Sequence, residues 1–288
     1  MSELHKKLNL PIIDINWSGF TFSQGSLQAY EDCPRLFELR YIHQLSWPAP
    51  DVEPDLENER YLDLGSAFHK LIQQYLLGIP IDRIMRIADH DTDLARWWLN
   101  FSEYHPPFEG YTKQQEITLA TNFDNSRLVA KYDLILVNEK IIIYDWKTSR
   151  KQMKQSWMKS KLQSRVYPLV LVEGGSQLNN RIPLNPEQIE MIYWFSNYPK
   201  SPIRITYSQL EYQQDHEFLR NLIAEIKSIN SSEFPKTENL KRCQFCRYRS
   251  LCDRGVKAGS FLELEEDLDE EEGSTIDIDF EQIAEIEF

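Results

Sequence analysis

"RLVAKYDLILVNEKIIIYDWKTS", residues 127–149, decides how this chain folds. Two apolar runs rich in Ile, Val and Leu flank Asn138, Glu139 and Lys140, a connection of hairpin length. Side chains alternate across a strand, which sets Asp145 and Lys147 on one face with Ile141 and Ile143. Three consecutive isoleucines imply burial on both faces. A three-residue loop pairs Val137 with Ile141 and brings Asp133 opposite Asp145, whereas a two-residue loop sends Asp133 to the other face. Facing carboxylates repel. A carboxylate and an ammonium at the end of a buried strand are unfavourable unless paired or bound to something. A structural Asp–Lys ion pair is the plain explanation of such a D-x-K. The chemical explanation is a hard divalent cation, since Mg2+ is held by one or two carboxylates plus substrate phosphate. Lys147 beside such an ion could orient water and stabilise a phosphate under attack.

The flanking sequence supports an α/β reading. Residues 23–42 and 61–78 are predicted helical. In the second, Leu64, Phe68, Leu71, Ile72, Tyr75 and Leu76 recur at three- and four-residue spacing, and Gly78 closes it. Residues 81–105 read as further helix, within a helical insertion expected over 79–112. QEITLAT adds a strand before the hairpin. Residues 155–173 are expected as helix, EMIYWFS and IRITY as strands, and 209–230 as helix. This mixture predicts a small mixed central sheet flanked by helices.

The chain has 288 residues, 41% of them hydrophobic, with seven Trp, 14 Tyr and 14 Phe, which points to a globular protein with a proper core. The N-terminal stretch has no apolar signal-peptide core, and no apolar run reaches the roughly 18 residues of a membrane span. A cytoplasmic protein is the expectation. The net charge of −13 argues against nucleic acid until its placement is considered. Residues 263–288 hold 13 Asp and Glu and no Lys or Arg, so the rest carries 32 acidic against 32 basic residues. Ser149 to Val172 contains Arg150, Lys151, Lys154, Lys159, Lys161 and Arg165 and no acid. Lys241 to Lys257 is a second basic stretch, with Asp253 its only acid. Each adjoins a motif, which favours phosphate contact over two merely solvated surfaces. Within the final stretch, 258–288, residues 263–272 are too acidic and too poor in apolar groups to pack. Beyond Gly273 the stretch alternates Ile276, Ile278 and Phe280 with acids, which leaves open a solubilising tail, a partner-docking peptide or a DNA mimic that covers the basic groove.

"CQFCRYRSLC", residues 243–252, spaces three cysteines as C-x2-C-x5-C, one short of the four thiolates a metal usually takes. The chain's fourth cysteine is Cys33.

The D…D-x-K arrangement of "KYDLI" and "YDWKTS" resembles the PD-(D/E)XK nuclease superfamily, specifically its RecB-like exonuclease branch. "GSAFHKL" is similar to the branch's G-x3-H helix, "QSRVY" to its Q-x3-Y, and "SLQAYEDCPRLFELRY" to its N-terminal L-x2-Y-x2-C-P-x2-F signature. Ala130 stands where relatives often have Gly, and Trp146 replaces the commoner Tyr of D-Y-K-T. The resemblance implies a restriction-endonuclease-like nuclease domain over 21–257, after an extension at 1–20. It implies Mg2+ or Mn2+ held by His69, Asp133, Asp145 and the backbone carbonyl of Trp146, with Lys147 catalytic and Glu116 a further acidic candidate. Gln163, Tyr167, Arg150, Lys151, Lys154 and Arg165 would contact DNA, single-stranded ends above all. In the iron–sulfur subset, which includes the AddB nuclease domain and CRISPR-associated RecB-like exonucleases, four such cysteines hold a [4Fe–4S] cluster. That assigns Cys33, Cys243, Cys246 and Cys252 to one cluster. A four-thiolate zinc site and free buried cysteines stay open beside it. The implied activity is hydrolysis of single-stranded DNA ends in repair, recombination or defence. Its rival is a non-catalytic DNA-end-binding subunit of a helicase–nuclease or CRISPR adaptation complex.

Overall fold

The computed structural model describes residues 15–45, 55–104, 106, 108–229 and 234–259. The acidic stretch 263–288 and most of the N-terminal extension lie outside them. Two compact units are formed, Met1–Leu62 with Arg220–Phe288, and Asp63–Leu219.

The second unit holds the mixed sheet. Its strands are β2 (Thr112–Phe123), β3 (Ser126–Val137), β4 (Ile141–Lys147), β5 (Ile189–Phe195) and β6 (Ile203–Thr206), hydrogen-bonded in that order. The hairpin takes the three-residue loop, pairing Val137 with Ile141 and ending at Leu134 opposite Tyr144. β4 and β5 run parallel, Asp145 beside Tyr193. That pairing requires a crossover. It is supplied by two helices, α6 (Gln155–Ser160) and α7 (Leu162–Gly174). The sequence reading placed one helix here; Lys161, in extended conformation, divides it.

Successive β5 side chains show how the sheet is covered. The Tyr193 hydroxyl meets Ser164 of α7 at 2.7 Å. The next residue, Trp194, stacks on Phe68 of α3 (Asp55–Leu76) at 6.2 Å and meets Phe101 of α5 (Thr92–Tyr104) edge-on. Alternation along the strand therefore puts α7 on one face and α3 with α5 on the other. Trp146 joins this aromatic layer, edge-on to Phe101 at 5.3 Å. Each such pair adds about 0.5–1.5 kcal/mol beyond its area burial. The expected helix over 81–105 is two, α4 (Ile81–Ala88) and α5, separated where Asp91 accepts the amides of Asp93 and Leu94. A side chain that bonds local amides in this way starts a new helix.

In the first unit, β1 (Thr21–Ser23) leads into α1 (Gln24–Asp32), whose start is fixed by a capping box between Ser23 and Ser26. The predicted helix 23–42 is broken at Cys33, held extended (φ −168°) because Pro34 disfavours helical backbone before it. After α2 (Pro34–Phe37) comes a π-helical segment, Glu38–Ile42. Buried Arg35 and Glu38 form an ion pair there. Leu39, Tyr248 and Leu251 make a small core against which Cys246 and Cys252 pack.

Candidate active site

β4 and its neighbours bring most of the expected acidic and basic groups to the place where the hairpin pairing stops. One step past Leu134 and Tyr144 lie Asp133 and Asp145. The Asp133 carboxylate takes over as partner of the strand, its Oδ2 accepting the Trp146 amide at 2.9 Å. Its Oδ1 lies 3.3 Å from Nδ1 of His69 on α3. Gly65 explains how α3 comes so near: a Cβ there would sit 3.3 Å from Thr148 Oγ1, just past β4. The G-x3-H spacing thus couples a close helix–strand approach to an imidazole one turn further on.

Asp145 is 2% exposed. Lys147 Nζ lies 2.8 Å from its Oδ1, and Gln163 on α7 donates to its Oδ2 at 2.5 Å. Both flanking helices therefore reach the site, α3 through His69 and α7 through Gln163. The Lys147 ammonium also lies 5.9 Å from the centre of the Tyr193 ring. Trp146 is buried in the aromatic layer, so only its backbone is available to the site.

Glu116 enters from β2. The β2–β3 ladder runs through Gln115↔Leu134 and Ile117↔Tyr132 without a register change, which places Glu116 alongside Asp133. Its φ of 49° is a left-handed conformation uncommon for glutamate. Burial, then the charge of Asp133, pushes its carboxyl upward, while Lys131 at 3.0 Å opposes the shift. Lys131 was missed by sequence reasoning; the signal was its place two residues before Asp133 on the same strand. Tyr193 and Ser164 were missed for lack of any local signal.

The expected strand-contacting residues divide. Gln163 is turned to Asp145. Tyr167 is buried, its ring 5.0 Å from Tyr132 and its carbonyl accepting the Tyr132 hydroxyl. Arg165 pairs with Asp215 at 2.9 Å and lies over the Phe218 ring. Arg150, Lys151 and the exposed Lys154 follow β4 on a loop whose backbone is pinned by Asn197, bonded to the carbonyls of Thr148 and Ser149, and by the Tyr198 hydroxyl on Arg150 O. Among the described residues, no three His, Cys, Asp or Glu side chains stand close enough to enclose a metal ion. The donors present, carboxylates with one imidazole, suit Mg2+ or Mn2+ chemically.

In the first unit, the four cysteines form a neighbourhood of their own. The Thr237 amide donates to Cys33 Sγ at 3.3 Å, and Lys236 Nζ donates to the Cys252 carbonyl at 2.7 Å. Burial pushes the Cys246 thiol up to about 12, with the charges of Cys252, Cys33 and Cys243 adding to the rise. Burial first, then Cys33, raises Cys243. Cys252 is raised by burial, and Lys236 and Arg35 pull it back. Among the described residues these cysteines form no group of three that could hold a metal ion.

Residues 21–253 match the PD-(D/E)XK nuclease superfamily, and the chain belongs to it. No curated protein matches the sequence. A solved candidate exonuclease from Eubacterium rectale is similar in fold, with a TM-score of 0.51 and 12% identity over 88% of this chain and 98% of that one. The crystal structure of SSO0001 aligns at 16% identity over 87% and 91% of the two chains, with a TM-score of 0.36. Among the described residues no helix is long and apolar enough to cross a membrane.

Proposed function

We propose that this nuclease-superfamily chain is a metal-dependent deoxyribonuclease, an exonuclease that hydrolyses phosphodiesters at single-stranded DNA ends in repair, recombination or defence. The observation that carries the reading is the 2.8 Å approach of Lys147 to Asp145, one register step beyond the pairs that tie β3 to β4, with Asp133 and His69 alongside. His69, Asp133, Asp145 and the Trp146 carbonyl would hold Mg2+ or Mn2+. When bound, the ion supplies Lewis acidity and makes water a nucleophile at neutral pH. Lys147 orients the attacking water and offsets charge on the phosphate as the P–O bond to the leaving oxygen breaks. Gln163 fixes the Asp145 carboxylate, and Tyr167 supports it from the adjacent turn by packing on Tyr132. Glu116 adds a second acidic group beside Asp133. Arg150, Lys151, Lys154 and Arg165 supply phosphate contacts.

In the same reading Cys33, Cys243, Cys246 and Cys252 hold a [4Fe–4S] cluster, as in the iron–sulfur members of the RecB-like branch. The acidic 258–288 stretch serves a protein partner. End dependence is tested with linear, end-labelled single strands against closed single-stranded circles, each with Mg2+, Mn2+ or a chelator. The linear strand should shorten from its ends with either metal, the circle should persist, and the chelator should stop the reaction. Cutting of the circle at a comparable rate would replace the exonuclease reading with an endonuclease.

A further inference from the structure

The loop and helix after β4 carry an aromatic group that the proposed mechanism does not use. Trp157 lies on α6, half-buried, within the basic stretch that follows Lys147. The Lys161 ammonium sits 3.9 Å from the centre of its ring. Most tryptophans of the described residues are buried in the core: Trp97, Trp98, Trp146 and Trp194 are each 2% exposed or less.

The position of Trp157 is tied to the active site by a short chain of contacts. Its neighbour Met158 is buried, and the Met158 carbonyl accepts the Ser164 hydroxyl at 2.6 Å. Ser164 Oγ is 2.7 Å from the Tyr193 hydroxyl, and Tyr193 is the register partner of Asp145 on the parallel strand. On the other side, Lys161 precedes Gln163 by two residues, and Gln163 is bonded to Asp145. These contacts fix the backbone of α6 and the start of α7 against the strands that carry Asp145 and Tyr193.

We propose that Trp157 and Lys161 form a stacking site for one base of a single-stranded nucleic acid. This rests on the nuclease reading and names how its substrate strand is gripped. An aromatic face accepts any base, and a neighbouring cation takes the phosphate, which is how sequence-tolerant single-strand sites are built. The cation–π contact keeps the pair together before a strand arrives. On binding, the base covers the indole and the ammonium moves to a phosphate.

The test is titration of the full chain with an oligothymidylate, with metal chelated, following tryptophan fluorescence. The wild type should show quenching. Trp157→Ala should bind roughly 5- to 100-fold more weakly, the loss of one stacked base. Trp157→Phe should retain most of the affinity while losing quenching. Lys161→Met should lower the slope of log affinity against log salt by about one. In cleavage assays Trp157→Ala should raise KM and keep kcat. Equal affinity of the Ala variant and wild type overturns the stacking site. So does equal loss by Ala and Phe accompanied by a lowered thermal midpoint, which marks Trp157 as packing only. Wild type that binds no strand overturns the nuclease reading itself and this site with it.

Discussion

Asp215 shows how a single residue can report on the environment beside the site. It is 7% exposed and faces Arg165, and burial pushes its carboxyl up to about 6 from 3.8 despite the opposing pull of Arg165 and Tyr207. A carboxyl whose folded value is raised contributes stability that is complete below pH 3.8 and lost as pH rises through 6. Asp215→Asn lacks that dependence. Relative to wild type, the variant should therefore gain stability between about pH 4 and 7 and then level off, a total change of up to about 3 kcal/mol. Denaturant titrations across that range measure it, and an offset independent of pH would contradict it. At the same scale, Asp145 and Lys147 were legible as a pair from alternation alone. The partners that hold them were not. Gln163 lies 18 residues further on, and its bond to Asp145 depends on how the crossover helix docks.

At the scale of elements, the hairpin was readable because a three-residue loop fixes its register, and Val137 does pair with Ile141. Strand and helix positions followed from periodicity for the same physical reason: a buried face repeats with the backbone's own period. What escaped were features set by single residues against that period. Pro34 breaks the helix at Cys33, Lys161 divides α6 from α7, and Glu116 adopts a positive φ inside β2. The parallel pairing of β4 with β5 has no local signature, since it depends on the crossover. The end of α7 offers a test of this packing. A Cβ on Gly174 would come within 2.8 Å of the Ala120 carbonyl oxygen on β2, and that atom belongs to a backbone that cannot swing aside. Gly174→Ala should destabilise the protein by about 1–3 kcal/mol, as overpacking does. An unchanged denaturation midpoint would show that α7 yields freely.

At the scale of the whole molecule, sequence reading assigned Cys33 to the same centre as three cysteines more than 200 residues later. Cys243, Cys246 and Cys252 are each raised by burial and further by neighbouring thiols, but among the described residues no three of the cysteines form a metal-holding group. Spacing alone could not join them; the assignment rests on the resemblance of the N-terminal motif. Under the iron–sulfur reading, Cys246→Ser should bleach the visible colour of protein purified without oxygen and lower its thermal midpoint. A colourless wild type carrying one zinc per chain would replace the cluster with a structural zinc site.

The central claim is that the carboxylates and lysine at the end of β4 cut DNA. Asp145→Ala, compared with wild type on end-labelled single strands with Mg2+ and Mn2+, tests it most directly, with strand binding measured in parallel. The variant should lose cleavage by at least about a hundredfold, given what a group of this kind contributes to the transition state. It should keep strand affinity nearly intact, because the basic loop is untouched. Undiminished cleavage by Asp145→Ala would contradict the assignment of this site.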